Sequence, residues 1–336
     1  MLKKILAAAG SGVLLAAVTA LAGWWYLTAF ASSPADPKAS GQVVVVPAGS
    51  GANVVSRMLA SRKIIDSAFN FKLLFYLKNR TSHIKAGEYH LAAAMSPAEI
   101  IDTLIQGNVI LHRLTIPEGY TLKQIAELVE ASGIMAPGES FFQAATATDL
   151  LSSLGIAADS AEGYLFPETY FFPAGVPARD VVAALLARFY SVFSQEWVKR
   201  SGELGFSVHQ IVTLASIIEK ETAVPQERPL IASVFHNRLK RGMRLESDPT
   251  VIYGLADFDG NLTRAHLNNP TPYNTYRVRG LPPGPIANPG RASLEAALYP
   301  AESAFLYFVA TGRGTHFFSA DFSDHQQAVR KFQLRR

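Results

Sequence analysis

The chain opens with a long apolar segment. Residues 5–30 are 26 consecutive positions without a charge, and about 20 apolar helical residues are enough to cross a bilayer. Two lysines precede the segment at residues 3–4, and Trp-Trp-Tyr lies near its other end at residues 24–26. Cytoplasmic positive charge and an interfacial aromatic belt are typical of a membrane anchor. We therefore expect residues 1–4 in the cytoplasm, a transmembrane helix at residues 5–30 and the body outside the cytoplasm.

A cleaved signal peptide is the alternative interpretation of this segment. Residues 29–31, Ala-Phe-Ala, have the small-x-small form of a cleavage site. The apolar region of a signal peptide usually spans only ~7–15 residues, so the length favours an uncleaved anchor. Residues 31–41, rich in Ser, Pro and Ala, are then a short linker that leads away from the membrane.

Beyond the linker, the apolar pattern predicts a small βααβ-type module. The valine run at residues 43–46 predicts a buried strand, and apolar residues at helical spacing predict helices over residues 54–59 and 69–77. Residues 87–91 are predicted to form a second strand. Ser-Pro at residues 96–97 is typical of a helix start, because serine caps the helix and proline fits its first turn.

A second strand-turn-helix pattern at residues 114–134 opens the remainder of the chain. The segment 162–173 follows, and its prolines exclude a regular helix. Its aromatic rings would either stack on sugar rings or line the core. Further helices and a β-hairpin are predicted at residues 180–193, 208–222, 306–310 and 316–318. Strands interspersed with helices indicate an α+β fold.

Composition narrows the possible classes. A length of 336 residues corresponds to roughly two domains. With 49% hydrophobic and only 17% charged residues the chain is not disordered, and a net charge of +4 does not indicate nucleic-acid binding. The absence of cysteine excludes disulfides, cysteine-ligated metals and thiol nucleophiles. The eight histidines show no metal-ligand spacing.

The helix predicted at residues 208–222 contains two carboxylates, Glu219 and Glu221, and both lie at its end. At ~100° per residue they point ~200° apart, so they cannot form a close pair. Glu219 lies on a stripe of small residues, which leaves space beside it. Apolar neighbours would favour its protonated form, as a general acid requires. The alternative is a solvated helix end in which both glutamates form salt bridges.

Polar, irregular segments follow this helix at residues 242–254, 273–276 and 280–290. Long ordered loops dense in hydrogen-bonding side chains are commonly functional. Asp248 precedes Pro249, which favours an extended backbone at Asp248. Asp248 is either a second catalytic carboxylate or a turn former, and a structural or substrate-orienting role is favoured.

These segments resemble the YceG-like (MltG) family of membrane-anchored endolytic murein transglycosylases. The resemblance rests on ASIIEKET at residues 215–222, MRLESDPTVIYG at 243–254, YNTY at 273–276 and GLPPG at 280–284. It also covers the N-terminal anchor, a LysM-like module at residues 42–112 and a YceG-like catalytic domain at residues 113–336. A departure is Glu246, where the family more often has glutamine.

The resemblance implies cleavage of nascent peptidoglycan strands between N-acetylmuramic acid and N-acetylglucosamine. The product ends in 1,6-anhydro-N-acetylmuramic acid, and cleavage would terminate strand elongation. The family's catalytic glutamate falls on Glu219, with no metal or organic cofactor. The expected location is the bacterial inner membrane with the body on the periplasmic side, and peptidoglycan synthases are possible partners. Candidates for the cleft around Glu219 are Asn237, Glu246, Asp248, Tyr273, Asn274 and Tyr276.

Two other functions are compatible with the sequence. A muramidase would hydrolyse the same bond by pairing Glu219 with Asp248, because hydrolytic glycosidases generally use two carboxylates. Its product would carry a reducing end. A tethered LysM-like module could instead make the protein a non-catalytic glycan-binding scaffold of the wall-synthesis machinery, in which Glu219 is merely structural.

Overall fold

The computed structural model describes residues 2–78, 83–153 and 158–334. The chain divides into two compact units. The first unit comprises Met1–His112 and Pro173–Gly175, and the second comprises Arg113–Phe172 and Val176–Arg336. Helices are interspersed with strands in both, which confirms the α+β class.

The first unit has the predicted order of strands and helices after its N-terminal helix. Its elements are α1 (Leu2–Ser32), β1 (Gln42–Val46), α2 (Ala52–Ser61), α3 (Ala68–Lys78), β2 (Gly87–Leu91) and α4 (Pro97–Gln106), and β3 (Leu111–Thr115) begins at its end. Strands β1 and β2 pair antiparallel, with Val44 opposite Tyr89. Helix α4 begins as predicted, because the Ser96 side chain and Glu99 form a reciprocal capping box.

The valine run of β1 is only half buried. Val44 and Val46 face the core, whereas Val43 and Val45 are exposed, so the prediction of a buried strand is correct for one face of β1 and wrong for the other. The cause is the sheet itself: β1 pairs with β2 in a two-stranded sheet, and alternate side chains of a strand point to opposite faces. An uninterrupted apolar run does not reveal whether both faces are covered.

Helix α1 contains a segment, Leu14–Ser32, that is long and apolar enough to cross a membrane. Only 6% of this segment is buried in the protein, so its apolar side chains are not those of an ordinary core helix. The segment is compatible with a single-pass anchor. The orientation of the anchor and the LysM-like character of the module stay predictions.

The second unit is largely helical. After β3 come α5 (Leu122–Ser132), α6 (Phe141–Ala145), α7 (Thr148–Ser153), β4 (Thr169–Pro173), α8 (Ala178–Val192), α9 (Gln195–Glu203), α10 (Val208–Glu221), α11 (Arg228–Lys240), α12 (Asp248–Tyr253), α13 (Arg264–Asn268), α14 (Arg291–Leu298), β5 (Tyr307–Ala310), β6 (His316–Ser319) and α15 (Phe322–Phe332). Strand β3 pairs with β4, and β5 with β6 in the predicted hairpin.

Helix α10 is the central element of this unit. It begins at a Ser207 capping box, and all of residues 211–218 are buried against α14, α11 and neighbouring elements. A helix that is apolar all round belongs in a core. The last turn of α10, which contains Glu219 and Glu221, lies at the edge of the apolar core.

The structure also describes the aromatic segment 162–173 and the backbone at Asp248. In the segment 162–173 most aromatic side chains line the core, as Tyr164, Phe166 and Phe172 do, whereas Phe171 is 58% exposed. The extended backbone expected at Asp248 is wrong, because Asp248 is the first residue of α12 and Pro249 follows in its first turn. Proline is tolerated there because the first-turn N–H groups have no partner within the helix.

Candidate active site

A polar cavity of about 410 Å³ opens at the C-terminal end of α10. It brings together side chains from distant parts of the second unit. They are Glu221 of α10, Arg238 of α11, Glu246 and Asp248 around the start of α12, Tyr276, His316 of β6 and His325 of α15. Carboxylates, histidines and a phenol thus surround a space large enough for part of a sugar chain.

Glu221 is a carboxyl of this cavity whose surroundings shift its pKa. The Ser247 hydroxyl donates a hydrogen bond to its Oε1 atom. Burial raises the pKa of Glu221 to about 7, and the negative charge of Asp248 acts in the same direction. The Ser247 hydrogen bond, His316 and Arg238 oppose this shift. A carboxyl with a pKa near neutrality can both donate and accept a proton at physiological pH.

A network of hydroxyl groups holds Ser247 and Asp248 in place. The Ser247 backbone N–H donates to Thr275 Oγ1 at 3.0 Å, and Thr250 Oγ1 lies 2.8 Å from the same atom. Tyr276 donates its phenolic hydrogen to Asp248 Oδ1 at 2.7 Å. Burial and this carboxylate neighbour raise the pKa of Tyr276, so it stays a hydrogen-bond donor.

Arg238 fixes the loop that leads into α12. Its buried guanidinium donates to the carbonyls of Arg244, Leu245 and Leu306 at 2.7–3.1 Å and contacts Glu246 Oε2 at 3.1 Å. Glu246 has a φ of +54°, a left-handed backbone conformation that is uncommon for a residue with a side chain. Such conformations concentrate at functional sites. Arg238 therefore orders the cavity wall.

Two histidines complete the cavity. The imidazole of His316 is held by the buried carboxylate of Glu227, whose Oε2 lies 2.7 Å from Nδ1. His325 stacks on Tyr307, and burial lowers its pKa. The lowered pKa favours the neutral imidazole of His325, which can donate through one nitrogen and accept through the other.

Glu219 lies in a different environment from Glu221. Its Oε1 is 3.6 Å from Arg228 Nη2, and its Oε2 accepts a hydrogen bond from the Gly290 N–H at 3.0 Å. The side chain is only 7% exposed, and it does not line the 410 Å³ cavity. Gly290 caps α14, so Glu219 holds the start of that helix. The catalytic role that the sequence predicts for Glu219 stays a prediction.

The other predicted cleft residues fall into two groups. Glu246, Asp248 and Tyr276 lie together in the cavity, which is lined by Glu221 and not by Glu219. Asn237 instead donates to the backbone carbonyls of Ser303 and Phe305 at 2.9–3.0 Å.

Two further candidates have neighbours outside the cavity. Asn274 is fully buried and donates to the carbonyls of Leu267 and Asn269. Tyr273 packs on Tyr253 at a centroid distance of 4.9 Å. In the structure these side chains order loops.

Sequence reasoning did not place Ser247, His316 or His325 near the site. Ser247 lies within the recognised segment 243–254, so its position beside Asp248 was an available signal. His316 and His325 reach the cavity only through the folding of the hairpin and α15, and no local pattern indicates this. No group of residues suited to hold a metal ion occurs in the part of the chain that the structure describes.

The arrangement of these groups defines a class of protein. A part-buried carboxyl with a pKa near 7, beside a second carboxylate in a polar cavity, is expected of an acid–base enzyme. The YceG-like family model matches residues 44–331, and the chain belongs to this family.

The names of similar proteins are consistent with membership of this family. The chain is 33% identical over 307 residues to the endolytic murein transglycosylase of Bacillus subtilis, covering 85% of this chain and 83% of the relative. It is 31% identical to the endolytic murein transglycosylase of Streptococcus pneumoniae, covering 88% of this chain but 59% of that longer relative. A crystal structure of a yceG-like protein from Listeria monocytogenes is 34% identical, with a TM-score of 0.59, and is covered to 98%.

Proposed function

We propose that this protein is an endolytic lytic transglycosylase of peptidoglycan in which Glu221 is the general acid and base. The activity is the one named for the relatives in Bacillus subtilis and Streptococcus pneumoniae. The assignment to Glu221 rests on one observation: this glutamate, and not Glu219, lies in the cavity with Glu246, Asp248 and Tyr276. The sequence-based assignment to Glu219 is the competing proposal.

The proposed reaction needs a single group that first gives and then takes a proton. Protonated Glu221 donates its proton to the oxygen that links C1 of N-acetylmuramic acid to the next sugar, and the C1–O bond breaks. The Glu221 carboxylate then removes the proton of the C6 hydroxyl, whose oxygen bonds to C1. The product is a 1,6-anhydro end, no water is consumed, and Glu221 regains its proton. A pKa near 7 suits both half-reactions.

The neighbouring groups have supporting roles in this proposal. The Ser247 hydrogen bond orients the Glu221 carboxyl, and Asp248 favours its protonated form. Tyr276 holds Asp248 in position. Developing positive charge at the anomeric carbon would be stabilised by the sugar's own N-acetyl group and by the carboxylates that line the cavity. Asp248 and Glu246 supply that negative charge.

The decisive experiment compares two isosteric variants of the full chain in detergent micelles. Uncrosslinked glycan strands are incubated with wild type, Glu221→Gln or Glu219→Gln, and the products are identified by mass spectrometry. We expect internal cuts ending in 1,6-anhydro-N-acetylmuramic acid from wild type. Glu221→Gln should lose at least ~10²-fold in rate, because a positioned proton donor contributes ~10²–10⁴-fold. Glu219→Gln should retain the larger share of activity.

Thermal unfolding of the variants distinguishes a loss of catalysis from a loss of folding. Glu219→Gln weakens a nearly buried ion pair, so its thermal unfolding is measured beside its activity. Glu130→Gln, an exposed change on α5, is the matched control. If folded Glu219→Gln is inactive while Glu221→Gln is active, Glu219 is the catalytic residue. If both variants cleave like wild type, neither glutamate is catalytic. If wild type itself gives no cleavage, the scaffold function gains support.

A muramidase is the second candidate, because Asp248 lies close enough to raise the pKa of Glu221. A hydrolase could use such a second carboxylate to stabilise charge or activate water. The same spectra separate the two reactions, since hydrolysis gives reducing ends. Reducing ends that disappear in Asp248→Asn would establish the muramidase and exclude the transglycosylase.

The remaining proposals concern location. A single-pass anchor formed by α1 would hold the second unit on the periplasmic side, close to newly made glycan strands. Its support is the apolar segment Leu14–Ser32 together with the charge pattern of the sequence. A LysM-like first unit would add glycan binding, and peptidoglycan synthases would be partners.

A further inference from the structure

Helix α3 of the first unit carries an exposed apolar stripe. Its Phe71 and Phe75 are buried in the core of the unit. On the opposite side lie four large apolar residues that are 40–68% exposed: Phe69, Leu73, Tyr76 and Leu77. At ~100° per residue these four positions span about 100° of the helix circumference. Helix α3 is therefore apolar on two opposite faces, of which only one is covered by the protein.

Such a stripe is unusual on a water-exposed surface. A helix that is apolar all round is normally buried in protein or in lipid. The charged residues of α3 are both lysines, Lys72 and Lys78, and it contains no acidic residue. Lys78 is paired with Asp102 of α4. The stripe thus combines aromatic and aliphatic side chains with nearby positive charge, as in helices that lie in a membrane interface.

The stripe lies beside the helix that we propose to cross the membrane. Asn70 of α3 donates a hydrogen bond to the Tyr26 hydroxyl of α1 at 3.1 Å. One residue further along α1, Leu27 is buried, and Phe30 packs against the core of the first unit. Helix α3 is therefore docked on α1 at the level of Tyr26.

That level coincides with the expected membrane surface. The 20 residues 5–24 of α1 span ~30 Å, which equals the thickness of the hydrocarbon core. Trp24, Trp25 and Tyr26 then fall at the interface, where aromatic residues are enriched. The burial of Leu27 shows that one side of α1 already packs against protein just beyond this point. The α3 stripe is held at the boundary between lipid and water.

We propose that the stripe of Phe69, Leu73, Tyr76 and Leu77 inserts into the membrane interface beside α1 and forms a second lipid contact. The occupant of the stripe is the bilayer itself. Anionic headgroups would be attracted by Lys72, which flanks the stripe, whereas Lys78 is paired with Asp102. The first unit is then fixed against the membrane surface, and α1 with α3 forms a two-helix base. This inference rests on α1 spanning the membrane and is independent of the identity of the catalytic glutamate.

The absence of cysteine makes a direct test possible, because each introduced cysteine is unique. Full-length Leu73→Cys and Leu77→Cys are labelled with a small fluorophore and reconstituted into nanodiscs of phosphatidylethanolamine and phosphatidylglycerol. Lipids that carry a nitroxide near the headgroup end of the acyl chain serve as quencher. Val45→Cys is the matched control, since Val45 is an equally exposed apolar residue of the same unit, on β1. Leu15→Cys, with a quencher deep in the acyl chain, reports insertion of α1.

We expect the labels at 73 and 77 to be quenched at least about threefold more than the label at 45, because interfacial helices bury their apolar face ~5–10 Å into the headgroup boundary. Leu15→Cys should also be quenched. Quenching at 15 with equal, weak quenching at 45, 73 and 77 would refute the α3 contact and leave the anchor intact. Equal, strong quenching at all three positions would also refute a specific stripe. No quenching at 15 would refute the anchor and, with it, this inference.

Discussion

At the scale of single residues, the main finding is that two glutamates two positions apart have different surroundings. Glu219 is held by Arg228 and the Gly290 N–H, whereas Glu221 faces a cavity with Asp248 and receives a hydrogen bond from Ser247. Helical geometry requires this divergence, because residues two apart point ~200° away from each other. The sequence establishes that the two differ, but it does not establish which one meets the cavity.

The first prediction concerns the pH dependence of cleavage. The proposed acid must be protonated in the first step, so kcat/KM should fall as pH rises through the Glu221 pKa of about 7. The charge of Asp248 contributes to raising that pKa. In Asp248→Asn this contribution is lost, and the alkaline limb should move to lower pH. Asparagine can still accept the Tyr276 hydrogen bond, which preserves the local geometry.

Rates of 1,6-anhydro product formation between about pH 5 and 9 provide the measurement, a window that brackets the Glu221 pKa. Asp257→Asn removes an exposed aspartate outside the cavity and should leave the limb unchanged. An Asp248→Asn limb that coincides with wild type, or moves to higher pH, would contradict the proposed coupling between Asp248 and Glu221.

At the scale of elements, Glu162 connects three segments that shape the second unit. Its carboxylate accepts hydrogen bonds from the Leu122 N–H at the start of α5, the Tyr253 hydroxyl at the end of α12 and Asn288 Nδ2 of the 280–290 loop. Asn288 in turn accepts from the backbone of the aromatic segment at Gly163. These elements are distant in sequence, and the buried carboxylate fixes their relative positions.

Removal of the Glu162 hydrogen bonds should lower the stability of the protein. Glu162→Ala leaves the Leu122 N–H, the Tyr253 hydroxyl and Asn288 without their partner, and an unsatisfied buried polar group costs about 1–3 kcal/mol. We expect the free energy of unfolding to fall by at least that amount. Urea unfolding in detergent, followed by Trp197 fluorescence after Trp24 and Trp25 are replaced by Phe, is the measurement. Glu127→Ala, exposed on α5, should change stability by less than ~0.5 kcal/mol.

Glu162 should also make stability depend on pH. Burial raises its pKa to about 7, against ~4.3 in the unfolded chain. The folded state therefore binds the extra proton, and its stability should decrease as pH rises from about 4.3 to 7. Glu162→Gln, neutral at every pH, should reduce this decrease. Glu221 contributes with the same sign in both proteins, so the difference between their pH curves isolates Glu162. Parallel curves would contradict the assignment.

The elements themselves were largely predictable, but the site was not. Apolar spacing predicted α3, α8 and α10, a capping pattern predicted the start of α4, and turn residues predicted the β5–β6 hairpin. These features depend on neighbouring residues. The cavity depends on the approach of Glu221, Asp248, Tyr276, His316 and His325, which are up to 104 positions apart in the sequence. Helix α10 is buried on all sides before its last turn. Its apolar pattern therefore does not predict which of the two carboxylates in that turn faces the cavity.

At the scale of the whole molecule, the remaining prediction is the orientation of the chain across the membrane. The two lysines at residues 3–4 precede the apolar segment, and positively charged ends are retained in the cytoplasm. The second unit, which contains the cavity, should then face the periplasm, where peptidoglycan lies. A cysteine at Glu130, exposed on α5, should react with a membrane-impermeant maleimide in intact spheroplasts. Leu2→Cys should react only after lysis. The reverse pattern would place the proposed active site on the side without substrate, and would contradict both the orientation and the proposed activity.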